Sequence, residues 1–421
     1  MSTRVWGLDN PINFNSSQPS SGSLVTSTHT RTQTGHRAVI VGGGVFGCTA
    51  ALELLSRGWS VSIINPGTPP HADASSTDVS KVVRMDYGSD IFYHELGEIA
   101  IEGWKRWNRD WPRPLYHEDG FLILSRGRMQ SGGYEYENRK VLQQRGYNTE
   151  HLNTSQVLNR YPAWDFSEYS DGYYNPRGGW VESGTVVEHL VHLCEAGGVQ
   201  LYSGQMYRLQ SEGSRVSGVL TTDGDLIAGE VVVVATGAWT PTLLPWLADV
   251  LWSTGQPVLH FLPNNPDLFS AEHFPPWSAD IANSGWYGFP ALADGRVKVA
   301  HHGRGVRVHP EARDTVDANH EARTREFLGR AIPALSAAPI VYRRICMYCD
   351  TFDGNFLIGP DPNREGLVVA SGGSGHAFKF APLIGEVIAD AVEHRHNKWG
   401  DRFAWREGGT FGTEEARYTG G

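Results

Sequence analysis

The clearest pattern of hydrophobic and polar positions lies in residues 37–65, RAVIVGGGVFGCTAALELLSRGWSVSIIN. A short apolar run from Ala38 to Val41 is typical of a buried strand. From Val45 to Arg57 the apolar residues recur at helical spacing, and Gly58 follows where a helix usually ends. Another apolar run, Val61 to Ile64, completes the unit. The pattern predicts strand, helix and strand, a βαβ unit that opens an α/β fold.

Three glycines, Gly42, Gly44 and Gly47, separate the first strand from the helix in G-x-G-x-x-G spacing. In a dinucleotide-binding fold, the first permits a tight turn, the second lets the backbone approach a pyrophosphate, and the third lets helix and strand pack closely. The pyrophosphate then binds free N–H groups at the start of the helix. The second strand ends in Asn65, where Asp or Glu usually binds the ribose; an amide can accept this bond without charge assistance. The motif predicts a nucleotide cofactor and leaves the role of Asn65 open.

Two later segments repeat this pattern. Residues 229–247, GEVVVVATGAWTPTLLPWL, predict a strand of four valines that ends in an A-T-G turn, as in FAD-binding two-domain oxidoreductases. Residues 366–393, GLVVASGGSGHAFKFAPLIGEVIADAVE, predict a strand, a glycine-rich loop and a helix. The loop would let the backbone approach a flat ring, and the start of the helix would stabilise negative charge on a reduced flavin. Because G-x-G-x-x-G occurs once, no second nucleotide domain for NADPH is predicted.

Composition narrows the possible functions. The chain has 421 residues, enough for two or three domains, and its 40% hydrophobic and 19% charged residues are ordinary for a folded protein. The formal net charge of -10 gives no basic excess for nucleic acid, so small-molecule chemistry is favoured. No run approaches the roughly 18 to 20 apolar residues of a membrane span. Residues 1–36 lack an apolar h-region, so we expect a disordered tail and a cytoplasmic protein.

Cys346 and Cys349 stand in C-x-x-C spacing within residues 343–359, RRICMYCDTFDGNFLIG. The spacing is compatible with a redox dithiol, half of a zinc site or two unrelated cysteines. A flavin disulfide reductase would need a second dinucleotide domain. Neither the 17 histidines nor the remaining cysteines supply a second pair of zinc ligands at related spacing, so no metal is expected. Two unrelated cysteines are favoured, and a dithiol reductase remains a rival.

In order and spacing, these motifs resemble the family of monomeric sarcosine oxidase, N-methyltryptophan oxidase and fructosyl amino acid oxidase (amadoriase), within the D-amino-acid-oxidase superfamily. The resemblance covers about residues 37–396. It implies an α/β fold (α+β overall), with a Rossmann-like FAD-binding domain and a mixed β-sheet substrate domain. Cys346-Met347-Tyr348 matches the family's C-M-Y type motif, which implies FAD attached covalently through Cys346. Such a thioether withdraws electron density from the ring and prevents cofactor loss, and Cys349 is then a packed neighbour.

The resemblance also assigns site residues. It implies that Arg84 and Lys379 bind a substrate carboxylate and that Lys298 activates O₂, since a fixed cation stabilises superoxide. Tyr287 and His302 match active-site positions, and Tyr348 an aromatic wall of the pocket. Without the resemblance, the basic residues could be solvated surface charges, and the segment VKVAHH could be an ordinary strand.

The resemblance also implies a set of cofactor contacts, which are Cys346, Gly42, Gly44, Gly47, Asn65, Ser76, Lys81, Thr236, Gly237, Gly372, Gly373, Gly375 and Lys379. Lys81 replaces an arginine of sarcosine oxidase and matches a lysine of amadoriases, which favours a substrate other than sarcosine.

We expect a discontinuous domain organisation. The predicted segments are a tail (1–36), an FAD-binding domain (37–88, 171–240 and 340–396), a substrate domain (89–170 and 241–339) and a C-terminal tail (397–421).

The resemblance implies an FAD-dependent oxidase that converts a secondary amine bearing a carboxylate into an imine and reduces O₂ to hydrogen peroxide. It implies a monomer whose partners are the amine and O₂. The rivals are an amadoriase, an oxidase of pipecolate or a biosynthetic intermediate, and a flavin-binding protein without oxidase turnover.

Overall fold

The structure is a computed structural model that describes residues 35–165, 167–313 and 318–420. The predicted N-terminal tail, apart from its last two residues, lies outside this part of the chain. The strands are β1 (Arg37–Val41), β2 (Ser60–Asn65), β3 (Lys81–Val83), β4 (Tyr116–His117), β5 (Phe121–Ser125), β6 (Glu150–Asn153), β7 (Asp171–Asn175), β8 (Gly179–Val181), β9 (Gln200–Ser203), β10 (Met206–Glu212), β11 (Arg215–Thr221), β12 (Leu226–Ala228), β13 (Val231–Val234), β14 (Leu251–Phe261), β15 (Trp277–Ala279), β16 (Trp286–Ala291), β17 (Val297–His301), β18 (Val306–Arg307), β19 (Ile340–Thr351), β20 (Leu357–Pro360) and β21 (Leu367–Ser371). The helices are α1 (Val45–Ser56), α2 (Ile91–Asp110), α3 (Tyr134–Gln144), α4 (Thr154–Arg160), α5 (Ser183–Ala196), α6 (Thr240–Leu243), α7 (Ile281–Ser284), α8 (Ala318–Ala331), α9 (Pro333–Ser336), α10 (Ala381–Val392) and α11 (Gly400–Phe403).

The predicted βαβ unit is confirmed. β1 and β2 pair in parallel, and α1 connects them. Gly42 has a φ of +108°, and a Cβ there would lie 2.5 Å from the carbonyl oxygen of Ala235. A Cβ on Gly47 would overlap the carbonyl oxygen of Gly42. Side chains at these two positions would therefore force β1, β13 and α1 apart, which explains the need for glycine.

The βαβ unit belongs to a mainly parallel sheet in the order β20-β21-β13-β1-β2-β9, with β20 antiparallel at one edge. The four valines of β13 pair with β1, and three of them, Val232 to Val234, also pair with β21 on the other side, which explains their continuous apolar run. Since β1, β13 and β21 are parallel, their carboxyl ends share one edge of the sheet. The glycine-rich turns predicted from three distant segments of the chain therefore meet at that edge.

A second sheet has the order β18-β14-β17-β16-β15-β5-β7-β6, and β19 pairs with β14 along most of its length. Its buried aromatic and aliphatic residues form a separate hydrophobic cluster with α8 and α9. β17 and β19 both pair with β14, so residues on these strands come within reach of one another. Combined with the parallel sheet, this arrangement confirms the predicted fold class.

The division into domains stays a prediction, and two strands bear on it. β7 and β19 fall in segments predicted for the FAD-binding domain, yet both form backbone hydrogen bonds with the second sheet. The C-terminal segment, residues 404–420, is predicted as part of a tail, but Ala416 and Arg417 in it are buried. Among the described helices, none combines the length and the apolar character needed to cross a bilayer.

Candidate active site

A pocket is lined by residues from the second sheet, from β3 and its neighbouring residues, from the segment between β21 and α10, and from the C-terminal segment. Its lining includes the side chains that the sequence predicts to be catalytic, namely Arg84, Tyr287, Lys298, His302, Tyr348 and Lys379. Cys346, Lys81 and Gly375, predicted to bind the cofactor, line the same pocket. The predicted cofactor residues outside this lining, all among the described residues, are Gly42, Gly44, Gly47, Asn65, Ser76, Thr236, Gly237, Gly372 and Gly373.

A buried ion pair connects Lys298 to Asp78. The Lys298 side chain is 1% exposed, and its Nζ donates to Asp78 Oδ2 at 2.5 Å and to the carbonyl oxygen of Ser80 at 2.7 Å. The thiol of Cys346 donates to the same Asp78 oxygen at 3.4 Å, and Lys81 Nζ lies 3.5 Å from it. We name Asp78, Lys298, Cys346 and Lys81 the lysine cluster. Its carboxylate joins the predicted O₂-activating cation to the predicted attachment cysteine.

The charges in the lysine cluster control its protonation. Burial alone would raise the pKa of Asp78, but Lys298, Lys81 and Arg344 hold that pKa well below its usual range. Burial lowers the pKa of Lys298, and the attraction of Asp78 opposes this shift. Burial and then the negative charge of Asp78 raise the pKa of the Cys346 thiol. Asp78 is therefore ionised at neutral pH, and Cys346 is a thiol in this environment.

A second buried ion pair comes from the C-terminal segment. The Glu414 side chain is 5% exposed, and its Oε2 lies 3.6 Å from an Arg84 guanidinium nitrogen. Its Oε1 accepts a hydrogen bond at 2.6 Å from Nε2 of His302, whose Nδ1 lies 3.4 Å from the Tyr348 hydroxyl. The Arg84 guanidinium also donates to the Tyr134 hydroxyl at 3.0 Å. We name Glu414, Arg84 and His302 the glutamate cluster.

Burial would raise the pKa of Glu414, but His376, His302 and Arg84 hold it well below its usual range. Burial lowers the pKa of His302, and Glu414 opposes this shift. At neutral pH, Glu414 is therefore an anion next to a neutral imidazole. Although Glu414 Oε2 is buried and faces the Arg84 charge, it has no hydrogen-bond partner among the described residues.

Lys379 lies in a short 3₁₀ turn, Ala377–Phe380, that precedes α10, and its Nζ and the Arg84 guanidinium both lie over the Tyr87 ring. Its Nζ donates to the Tyr87 hydroxyl at 2.8 Å and to the carbonyl oxygen of His376 at 3.0 Å. Burial, and then repulsion by Arg84, lower the pKa of Lys379 to about 7, against the attraction of Glu414. Near neutral pH the ammonium of Lys379 is therefore partly deprotonated.

The glycine-rich edge of the parallel sheet has the shape that a dinucleotide needs. A Cβ on Gly44 would crowd Ser76 Oγ at 3.2 Å, whereas one on Gly237 would find its nearest neighbour 3.9 Å away, so space remains beside the Gly237 turn. Ser76 Oγ accepts a hydrogen bond at 3.4 Å from the N–H of Val45, at the start of α1. The residues present therefore fit a bound pyrophosphate at this helix terminus.

Other predicted cofactor residues shape these turns. Asn65 Oδ1 accepts a hydrogen bond at 3.0 Å from the N–H of Gly43, so its side chain supports the glycine-rich turn. Gly372 has a φ of +70°, and a Cβ there would lie 2.5 Å from Thr351 Cγ2. A Cβ on Gly375 would overlap the ring of Tyr348. Close packing at these glycines brings the loop after β21 against β19, the strand that carries Cys346.

Cys346 and Cys349 lie on opposite faces of β19, as residues three apart on a strand must. Cys346 packs with Val258 and Ala300 beside the pocket, whereas Cys349 belongs to a different hydrophobic cluster. Both are free cysteines. A disulfide between them would require the strand to distort, so the geometry disfavours a redox dithiol.

Sequence reasoning did not assign roles to two pocket carboxylates, Asp78 and Glu414. Asp78 lies three positions before Lys81 in the sequence. The available signal was an acidic residue close in sequence to two predicted pocket cations, Lys81 and Arg84, and Asp86 shares this signal. Glu414 lies in a short polar stretch without apolar periodicity, and no local pattern marks it.

The parallel sheet, the glycine-rich turns at its edge and the adjoining pocket of buried cations define an oxidoreductase that uses a dinucleotide cofactor. Residues 37–391 match the family model of the FAD dependent oxidoreductases termed DAO. The chain therefore belongs to this family, and it is an FAD-dependent oxidoreductase.

Individual relatives are similar over most of their length. Monomeric sarcosine oxidase from Bacillus sp. (strain B-0618) is 23% identical over 83% of this chain and 90% of its own length. N-methyl-L-tryptophan oxidase from Salmonella dublin is 26% identical over 84% of this chain and 93% of its own. Fructosamine oxidase (amadoriase II) from Aspergillus fumigatus has a similar fold, with a TM-score of 0.78, 24% identity and coverage of 93% and 94% of the two chains.

Proposed function

We propose that the protein is an FAD-dependent oxidase of a secondary amine that carries a carboxylate, as in N-alkyl amino acids. The supporting observation is the burial of Arg84, Lys379 and Lys298 around one pocket beside Cys346. The amine would lose two electrons and two protons to become an imine, and O₂ would gain them to become hydrogen peroxide. FAD, when bound, accepts the electrons from the amine and passes them to O₂.

The side chains of the pocket would contribute orientation and charge. Lys379 and Arg84 would bind the acidic end of the substrate and so hold its amine in one orientation. Lys298, held by Asp78, would keep a fixed positive charge where O₂ becomes an anion. The aromatic side chains of Tyr287 and Tyr348 would limit the entry of water. In this scheme the substrate amine needs to be neutral, and no strong base is required.

Turnover is tested with the purified holoprotein, a panel of secondary amines and peroxide detection. The panel contains sarcosine, N-methyltryptophan, pipecolate and a fructosyl amino acid, because Lys81 lines the pocket and matches the amadoriase residue in the resemblance. We expect amine-dependent peroxide formation with at least one member. If amine bleached the protein and air failed to restore its colour, the oxidase proposal would be wrong.

Lys298→Met tests the role of the buried ammonium. Without this charge, we expect reoxidation by O₂ to slow about a hundredfold and reduction by amine to change less, as measured by stopped-flow absorbance. Lys398→Met, which removes an exposed lysine, is the matched control and should leave both rates unchanged. Intact oxygen reactivity in Lys298→Met would remove Lys298 from the mechanism.

We further propose covalent attachment of FAD through Cys346, which lies in the C-M-Y match and lines the pocket. Cys346→Ala should release free flavin from acid-denatured protein, whereas Cys349→Ala should keep the flavin on the polypeptide. Mass spectrometry of the flavin-bearing peptide measures both outcomes.

We also propose that the protein is a cytoplasmic monomer. Size-exclusion chromatography with light scattering tests its oligomeric state.

A further inference from the structure

The Arg84 guanidinium already has a carboxylate beside it. Glu414 Oε2 lies 3.6 Å from Arg84 and has no hydrogen-bond partner among the described residues, although it is buried and its residue lines the pocket. A buried carboxylate oxygen without a donor is costly, and a hydrogen bond from a bound molecule would remove that cost. Glu414 thus adds a negative charge and an unused hydrogen-bond acceptor to the part of the pocket around Arg84, which we call the Arg84 end.

The backbone on both sides of Glu414 is held to the core. The N–H of Gly412 donates to the carbonyl oxygen of Phe352 at 2.8 Å, and the N–H of Tyr418 donates to that of His302 at 3.0 Å. Between these points, Arg417 forms a buried ion pair with Asp350 at 2.9 Å. Removing Glu414 from the pocket would break these contacts and leave a buried charge without its partner, which is costly.

The charge of Glu414 affects which substrate groups can bind beside Arg84. A substrate carboxylate there would share the guanidinium with a second anion in a low-dielectric site, and like charges at such distances repel strongly. A neutral group that donates a hydrogen bond avoids this repulsion and supplies the donor that Oε2 lacks. Lys379 forms no direct ion pair with Glu414, and its Nζ, which donates to the Tyr87 hydroxyl and to the carbonyl oxygen of His376, has a third N–H for an acidic group.

We propose that Glu414 is a specificity-determining residue that makes the Arg84 end of the pocket select a neutral hydrogen-bond donor, such as an amide or hydroxyl, over a carboxylate. This inference rests on the proposed amine oxidase function. It replaces one assignment within that function: the substrate carboxylate would bind at Lys379 without Arg84, and a donor group would bind at Glu414.

The test uses ligand pairs that differ at one group. Methoxyacetate and methoxyacetamide have an ether oxygen in place of an amine, so they bind without being oxidised. Calorimetry of the holoprotein measures both dissociation constants. In the wild-type protein the ratio of the two affinities also contains the attraction of Lys379 for the acid, so the test is the shift of this ratio when the charge of Glu414 is removed.

Glu414→Gln removes the charge and nearly preserves the shape. We expect it to shift the ratio of acid to amide affinity toward the acid by about tenfold or more, since a nearby like charge is lost. Glu414→Asp keeps the charge and should keep the wild-type preference. Glu415→Gln is the matched control, because the neighbouring Glu415 bonds Ser89 outside the pocket.

A shift below about fivefold in Glu414→Gln, or an equal gain for acid and amide, would overturn the assignment. The equal gain would indicate that the charge of Glu414 does not discriminate between an acid and an amide. Steady-state kinetics with sarcosine and sarcosinamide should show the same shift in kcat/KM. Because the calorimetric arm needs no turnover, an absence of oxidase activity would refute the proposed function separately from the role of Glu414.

Discussion

The pocket contains two buried carboxylates that differ in how completely their oxygens are used. In the lysine cluster, Asp78 Oδ2 accepts from Lys298 and Cys346 and lies 3.5 Å from Lys81 Nζ. In the glutamate cluster, Glu414 Oε1 is bonded to His302, but Oε2 lacks a hydrogen-bond partner within the described chain. The first carboxylate is saturated by protein groups and serves to hold a cation. The second retains an acceptor for a ligand.

This difference has a physical origin. Asp78 and Lys298 form a close hydrogen-bonded pair, whereas Glu414 and Arg84 are 3.6 Å apart at their nearest charged atoms. A close buried pair is expensive to break, because each partner then remains as an uncompensated charge. A longer pair leaves hydrogen-bonding capacity on both sides. We therefore expect Asp78 substitutions to affect folding most, and Glu414 substitutions to affect ligand choice.

The largest expected effect is on the lysine cluster. Asp78→Asn should lower the free energy of unfolding by about 3–5 kcal/mol, because Lys298 then stays buried without its counter-charge. Urea denaturation of the protein measures this loss. Asp78→Asn combined with Lys298→Met should recover much of the stability, since both charges are gone. A loss below about 1 kcal/mol in the single variant would contradict the distinction between the clusters.

A smaller effect is expected from pH on the ligand side of the pocket. Below pH 7 Lys379 carries its charge, and above its pKa of about 7 it loses it. Binding of methoxyacetate should therefore weaken as pH rises, by about tenfold once Lys379 is neutral, as one charge-assisted hydrogen bond is lost. Calorimetry across this range measures the change.

The control for this pH dependence is Lys379→Met, in which methoxyacetate binding should be weak and nearly independent of pH in the same interval. Methoxyacetamide should show little dependence in either protein, because it lacks the charge that Lys379 attracts. An unchanged pH profile in Lys379→Met would assign the titration to another group.

The smallest effect is expected at Lys81, which is partly exposed and lies 3.5 Å from Asp78. Lys81→Met should change the free energy of unfolding by less than about 1 kcal/mol, as for other solvent-screened ion pairs. The same denaturation experiment measures it. A loss as large as that of Asp78→Asn would show that Asp78 depends on Lys81 as much as on Lys298.

Much of the fold could be predicted from local patterns. The helical spacing from Val45 and the valine run before the A-T-G turn are determined by neighbouring residues, so the sequence alone reveals them. The predicted catalytic residues also line one pocket, because they lie in segments whose order and spacing resemble a known family. Their roles stay predictions that the variants above test.

The pairings inside the pocket could not be predicted in the same way. Asp78 and Lys298 are 220 positions apart, and Glu414 and His302 are 112 apart. Such contacts leave no periodic signal, since their geometry depends on how β17, β19 and the C-terminal segment pack. The role expected of Arg84, binding a substrate carboxylate, changes for the same reason, because Glu414, which is distant in sequence, already places a carboxylate beside it.

The sequence by itself determined the βαβ unit and the glycine-rich turns, because these depend on local spacing and residue type, whereas the pocket cations were predicted from the family resemblance. The tertiary structure decided which carboxylate faces each cation. It placed Asp78 against Lys298 and Cys346, and it brought Glu414 to Arg84. The physical reason is that charge interactions in a buried site depend on distances of a few ångströms, which long-range packing sets.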